Sequence, residues 1–152
     1  MVAAAPISVF VSTDGGATFT SHSLRQYVSN IRGVTVTPDS HIFVASREGA
    51  FESTDEGATW THVLTGLPDK DITSIVYDGS GKRLLATSMQ TGVIFESSDN
   101  GRTWQRGPDS GYPLRRVNVV RGRFIGATPF DGVILQPENE SQSAAAGTGG
   151  TN

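Results

Sequence analysis

The stretch FESTDEGATW, residues 51–60, returns as FESSDNGRTW at 95–104 and more loosely as FVSTDGGATF at 10–19. Set in register, the three copies align Asp14, Asp55 and Asp99, at separations of 41 and 44 residues. A period of that size is the mark of a repeat architecture. The flanks keep step with the aspartates. Phe10, Phe51 and Phe95 precede them by four residues, Ser12, Ser53 and Ser97 by two. Gly16, Gly57 and Gly101 follow two residues after, and Phe19, Trp60 and Trp104 five after.

Working outward, a second row is laid down by IFVAS (42–46), LLATS (84–88) and FIGAT (124–128), aligned on Ala45, Ala86 and Ala127. A third comes from IRGVTV at 31 and ITSIVY at 72, with Leu114–Val120 in that place in the last repeat. Each segment is short, rich in β-branched and aromatic residues, and bounded by Gly, Pro, Asp or Ser, which is the signature of strands joined by turns. Nowhere is a 3.6-residue period sustained. The expected fold is all-β. One unit reads as strands over 31–37, 41–46, 50–53 and 59–63. Four antiparallel strands in about 40 to 45 residues is the size of a β-propeller blade.

Within the repeated phrase, the serine and aspartate can hold backbone N–H groups in a turn, and the glycine can take a positive φ. The phrase therefore reads as a hairpin tie. The aromatic residue after it is large enough to cover the gap between neighbouring units, and Phe51 is placed to meet Trp60 over one hairpin.

The pattern S-x-D-x-G-x-T-W resembles the Asp-box, or BNR repeat, of sialidases, sortilin-type receptors, xyloglucan-active glycoside hydrolases and photosystem II assembly-factor propellers. The resemblance covers about residues 7 to 136. It implies propeller blades whose boxes lie on outer hairpins, away from the central cleft where ligands bind. Ser12, Asp14, Gly16, Phe19, Ser53, Asp55, Gly57, Trp60, Ser97, Asp99, Gly101 and Trp104 are thus assigned to structure rather than catalysis.

The strand count is the informative oddity. The N-terminal unit offers only strands at 7–11 and 18–23. Two full units follow, and the last offers strands near 115–120, 123–128 and 132–136. LQPENE then stands where another box is due. That makes about thirteen strands, whereas closed propellers usually have four to eight blades. Three readings follow: a piece of a longer propeller, which is preferred, two copies closing a ring of six or seven blades, or a stable open arc, the least favoured. The organisation expected is partial propeller over 1–136 and, over 137–152, a tail without large apolar residues that cannot offset the entropy of ordering.

Composition narrows the function. A formal charge of −3 supplies no global field for nucleic acid. The absence of cysteine removes disulfides and thiolate chemistry. No apolar run approaches the ~20 residues of a membrane span. MVAAAPISVF has no positive n-region, which argues against a signal peptide. The three histidines, His22, His41 and His62, have no ligand spacing, so no metal and no cofactor is expected.

Candidate binding residues are fewer. Arg32 and Arg115 hold equivalent places in the first strands of their units, with Thr73 between, but the Arg-Ile-Pro signature that resemblance to a sialidase implies is missing. The segment LRRVNVVRGRF (114–124) holds Arg115 and Arg116 among four arginines suited to an anionic group. Read otherwise, these are solvated strand faces. Tyr27, Tyr112 and Phe130 are candidate sugar platforms, Tyr112 foremost. Asp69, Asp71, Asp78, Asp109 and Asp131 lie near strand junctions, where a hydrolase would need a carboxylate pair; none is assigned as catalytic.

The resemblance implies a non-enzymatic binding or scaffolding propeller with a protein or carbohydrate partner, in an extracytoplasmic location. The alternative is a C-terminal piece of a glycoside hydrolase of the sialidase or xyloglucanase type.

Overall fold

The computed structural model describes residues 1–68, 70–130 and 132–135. The tail expected at 137–152, residues 136–140 of the failed repeat LQPENE, Asp69 and Asp131 lie outside the described residues. Four antiparallel meanders follow one another along the chain. The first holds β1 (Val2–Ala5), β2 (Ser8–Val11) and β3 (Thr20–Ser23). The second holds β4 (Ile31–Val36), β5 (Ile42–Ser46), β6 (Gly49–Ser53) and β7 (Thr61–Val63). The third holds β8 (Ile72–Asp78), β9 (Arg83–Ser88), β10 (Val93–Ser97) and β11 (Gln105–Asp109). The fourth holds β12 (Arg116–Val120), β13 (Arg123–Ala127) and β14 (Val133–Leu135).

The sheets stack face to face, because the central strands β5, β6, β9 and β10 carry apolar residues on both faces. In the second sheet, Ile42, Val44 and Phe51 turn toward the first sheet, where they meet Val9 and Val11. The alternate residues Phe43, Ala45 and Ala50 turn toward the third sheet and meet Ile75, Leu84 and Ala86. The third sheet in turn offers Leu85 and Ile94 to Val117 and Phe124 of the fourth. Phe43 and Leu84 are fully buried, each worth about 1.5–3 kcal/mol against exposure. Adjacent inner strands β4, β8 and β12 run close together, while the outer strands β7 and β11 splay apart. The stack is a fan, not a flat sandwich.

Bonds between sheets tie the inner strands. The Tyr77 amide donates to Thr35 Oγ1 (3.1 Å), Thr73 Oγ1 donates to the Leu114 carbonyl (2.6 Å), and the Val117 amide donates to Ser74 Oγ (3.2 Å). Thr and Ser on the inner strands therefore satisfy buried backbone groups that the sheets cannot pair internally.

Three sequence expectations need correction. The first unit has a further strand, β1, which pairs with β2 from Val2↔Val11 to Ala5↔Ser8. Its run of alanines gives no strand signal, and tertiary pairing alone extends it; the described strands number fourteen, not about thirteen. The alanine row is out of register by one. Ala45 pairs with Gly33 and Ala50, but Ala86 pairs with Ile75 and Phe95, so the two face opposite sides of their sheets. Gly126 occupies the Ala86 position of the fourth sheet, between Val117 and Ile134. Phe51 does not stack on Trp60: its cross-strand partner is His62, with ring centroids 4.7 Å apart, and Tyr27 closes its other side at 5.8 Å.

Candidate functional site

Each strand has two ends, and the register sorts the candidate residues between them. Val36 pairs with Ile42 and Ile42 with Ser53, so the repeated loops leave the sheets at one end. Ile31, Ser46 and Gly49 mark the other.

The repeated loops are built alike. Ser12, Ser53 and Ser97 each accept the amide of Gly16, Gly57 or Gly101 on Oγ at 2.8 Å, and each donates to its aspartate at 2.8 Å. The aspartate then accepts from a threonine twice. Asp55 takes the Thr59 amide at 2.8 Å and its hydroxyl at 2.6 Å; Asp14 and Asp99 do the same with Thr18 and Thr103. Trp60 and Trp104 close the loop by donating Nε1–H to the Gly57 and Gly101 carbonyls, at 3.0 and 3.1 Å. Phe19 has no such donor.

These bonds decide the chemistry of the loop. The Thr59 hydroxyl, the Thr59 amide and the Ser53 hydroxyl hold Asp55 down to about 2. Thr18 and Ser12 lower Asp14 in the same way, and Thr103, with Ser97, lowers Asp99. A general acid needs a raised pKa and a free oxygen. These carboxylates have neither, and their oxygens are engaged within their own loops. The glycines serve packing: Gly101 (φ +86°) lies so close to the second sheet that a Cβ would sit 2.5 Å from Phe43 Cζ.

The opposite end is uneven from sheet to sheet. Arg32 enters β4 there and forms a 3.5 Å ion pair with Asp71, which precedes β8. Its Nη1 is buried with no hydrogen-bond partner. Arg115 and Arg116 occupy the start of β12, and Arg115 sits at the place of Arg32 and Thr73 in the other inner strands, as expected from the spacing. Arg32, Thr73, Met89, Arg115 and Arg116 border one open cavity of about 720 Å³. A second, of about 370 Å³, continues along the inner strands past Gly33, Ser74 and Asn118. Arg32 and Arg116 line both, so the two form one groove across three sheets.

The other arginines of the 114–124 segment turn away: Arg121 lies in the β12–β13 turn, at the far end of the strand, with φ +52°. Tyr112 is exposed on the loop between β11 and β12, its carbonyl accepting the Ser110 hydroxyl at 2.7 Å, and borders neither cavity. Tyr27 is no platform, since its ring packs on Phe51. Phe130 is 94% exposed in the β13–β14 turn, two residues beyond Thr128, which lines the larger cavity.

Among the described residues, the candidate aspartates Asp71, Asp78 and Asp109 do not converge. Asp78 is almost fully buried; burial alone would raise its pKa, but bonds from Ser80, Gly81 and Arg83 outweigh it and hold the group below its ordinary value. It ends the strand that Asp71 precedes, and seven extended residues span about 20 Å. Asp109 accepts the Gly111 amide at 2.8 Å in a turn. Among the described residues, Asp71 is the carboxylate beside the groove, engaged with Arg32. Sequence reasoning missed Met89 and Asn118, whose places hold other residue types in the other units, Arg47 for Met89 and Thr35 and Val76 for Asn118, so they carry no repeat signal.

Stacked antiparallel meanders of three or four described strands, splayed about close inner strands with a groove across those strands, define the blades of a β-propeller. No protein-family model matches the chain. It is similar to xyloglucanase Xgh74A of Acetivibrio thermocellus, 29% identical over 140 residues that cover 82% of this chain and 16% of the relative. The chain thus spans about a sixth of that protein. Among solved structures, it superposes on the GH74 enzyme of Niastella koreensis with TM-score 0.64 and 24% identity, covering 82% of this chain and 23% of that one. YCF48 bound to D1 peptide matches with TM-score 0.58 and 19% identity, over 90% of this chain and 50% of that one.

Proposed function

We propose that the chain is the glycan-contacting arc of a larger propeller of the xyloglucanase type, with the repeated loops as Asp-boxes and an extracytoplasmic location. The observation that carries this reading is the groove across the inner strands, which joins cavities of about 720 and 370 Å³ at the end of the blades away from the repeated loops. Amide and guanidinium groups from Asn30, Asn118 and Arg32 supply bonds to sugar hydroxyls there. Phe130, exposed two residues beyond the lining residue Thr128, is the aromatic face we assign to the sugar. An inverting hydrolase needs two carboxylates about 6.5–9.5 Å apart, and the described residues bring Asp71 alone to the groove. The reading is therefore binding by this arc without turnover.

Calorimetric titration with xyloglucan oligosaccharides, cello-oligosaccharides and sialosides tests it. The expected result is binding of a β-glucan oligosaccharide, weakened ~10-fold by Phe130→Ala, a loss of about 1.4 kcal/mol. Absence of binding to every saccharide would count against it.

A second reading, a scaffold for a protein partner, is favoured by one observation: three arginines border the groove and, among the described residues, Asp71 is the carboxylate paired with one of them. Such a cluster suits a carboxylate-bearing peptide better than a neutral glycan, and YCF48 was solved with a peptide bound. Binding of acidic peptides that falls steeply with salt, with no saccharide binding, would decide for it.

A further inference from the structure

Asp71 departs from the repeat beside the groove. The equivalent places before the other inner strands hold Asn30 and Pro113, so the charge at this position belongs to the third sheet alone. Its backbone is left-handed, at φ +56°, a conformation that side chains other than Asn and Asp seldom take. Contacts from two sheets hold it there. The Asp71 amide donates to the Arg47 carbonyl in the β5–β6 turn (2.7 Å), and the Met89 amide in the β9–β10 turn donates to the Asp71 carbonyl (3.0 Å). The carboxylate faces Arg32 Nη2 at 3.5 Å. Arg32 is itself set by an irregularity: the β4–β5 register shifts between Ile31 and Gly33, leaving Arg32 as the extra residue. A bulge of this kind re-aims a side chain. Arg115 and Arg116, by contrast, pair with no carboxylate among the described residues. The three guanidiniums on the groove are therefore of two kinds, one offset by a carboxylate and two not.

On the glycan reading of the groove, on which this depends, we infer that Asp71 is a specificity-determining residue that acts through Arg32. By offsetting that guanidinium it favours an uncharged stretch of saccharide beside the second and third sheets, and its removal turns the groove toward acidic saccharides. A carboxylate at 3.5 Å weakens the field of Arg32 at a ligand. Without it, the guanidinium fork is free for a ligand carboxylate. Repulsion works in the same direction. Asp71 is about one-third exposed, so a ligand anion seated at Arg32 also meets a like charge, which is how a site rejects the wrong partner. The left-handed backbone is the reason an aspartate can hold this place, and it makes Asn and Gly the replacements that remove the charge while keeping the conformation.

Calorimetric titration of the 152-residue chain with a xyloglucan oligosaccharide and with an oligogalacturonide tests this. The proteins are the parent, Asp71→Asn, Asp71→Gly, Arg32→Gln and the double variant Asp71→Asn/Arg32→Gln, each with its fold checked by circular dichroism. The expected result is a ratio of oligogalacturonide to xyloglucan affinity that rises about 3- to 10-fold in both Asp71 variants, with a steeper loss of oligogalacturonide binding at high salt. In the double variant the ratio should match that of Arg32→Gln alone. A merely structural role would lower both affinities together and leave the ratio unmoved. An unchanged ratio, or a rise that persists without Arg32, would overturn the inference while the glycan reading stands. A parent that binds neither saccharide would instead sink the glycan reading, and oligogalacturonide binding gained in Asp71→Asn then decides the role of Asp71: its appearance supports that role, its absence ends it.

Discussion

The two ends of the blades differ in one respect that organises the molecule. At the repeated-loop end, three sheets carry the same serine, aspartate, glycine and threonine, with bond lengths that agree within 0.1 Å from copy to copy. At the other end, equivalent inner-strand positions carry Arg32, Thr73 and Arg115. A position repeated in every blade answers a demand that every blade shares, which is to close a hairpin and pack on a neighbour. A position that departs from the repeat is released from that demand. Its chemistry is where a ligand can be read, since function lives in sites placed on folds.

The contrast is broken most sharply by one substitution made at both ends. Gly101→Val puts a Cβ into Phe43 at a residue with φ +86°, and combined overpacking and backbone strain should cost about 4 kcal/mol. Gly111 has a similar φ of +76° in the loop before Tyr112, but open space around it, so Gly111→Val should cost only about 1 kcal/mol. Urea unfolding of both variants gives the difference, and equal losses would erase the distinction between the ends.

Ser53→Ala comes next. It strips the acceptor from the buried Gly57 amide and a donor from Asp55, so a loss of about 1–3 kcal/mol is expected, with a fall in the urea midpoint at unchanged slope. A neutral result would mean that the loop holds without its serine.

Acid sharpens the comparison further. Asp55 is held to about 2 in the fold, against about 3.9 in an unfolded chain. A depressed carboxylate contributes stability above the unfolded value and loses it as pH falls through the folded one. Melting temperature should therefore drop between about pH 4 and pH 2, with a shallower drop in Asp55→Asn. Parallel profiles for variant and parent would show that the loop carboxylate carries no part of the acid sensitivity.

The smallest stability effect is expected at the groove. Arg32 and Asp71 are about one-third exposed and 3.5 Å apart, so Arg32→Ala should change unfolding free energy by no more than about 0.5 kcal/mol. The ligand affinity of the groove should fall all the same. Destabilisation comparable with Ser53→Ala would place Arg32 among the structural residues.

How legible this was in the sequence follows the same division. The hairpin ties could be read directly, because Ser53, Asp55, Gly57 and Thr59 act on atoms within four residues of themselves. Strand register was less secure: Ala45 and Ala86 both sit in apolar pentapeptides, and in strands buried on both faces no polar alternation fixes which way a residue points. β1 could not be read at all, since Val2–Ala5 owes its extension to pairing with Ser8–Val11 rather than to propensity. At the groove, the spacing identified Arg32 and Arg115 as equivalent and Arg116 as a neighbour. Their convergence with Met89 and Asn118 depends on how the sheets fan, which no local pattern encodes. Tyr112, the favoured platform, borders neither cavity, and Phe130 stands two residues beyond Thr128, which lines the larger one.

The most direct test of the central claim is a residue-resolved amide chemical-shift titration of the chain with a xyloglucan oligosaccharide and, separately, with an acidic peptide. Perturbations should gather on Arg32, Thr73, Met89, Arg115 and Thr128 for whichever ligand binds, leaving residues 53–60 and 97–104 unmoved. Shifts centred on those repeated loops, with a silent groove, would contradict the division of the blades into a structural end and a binding end.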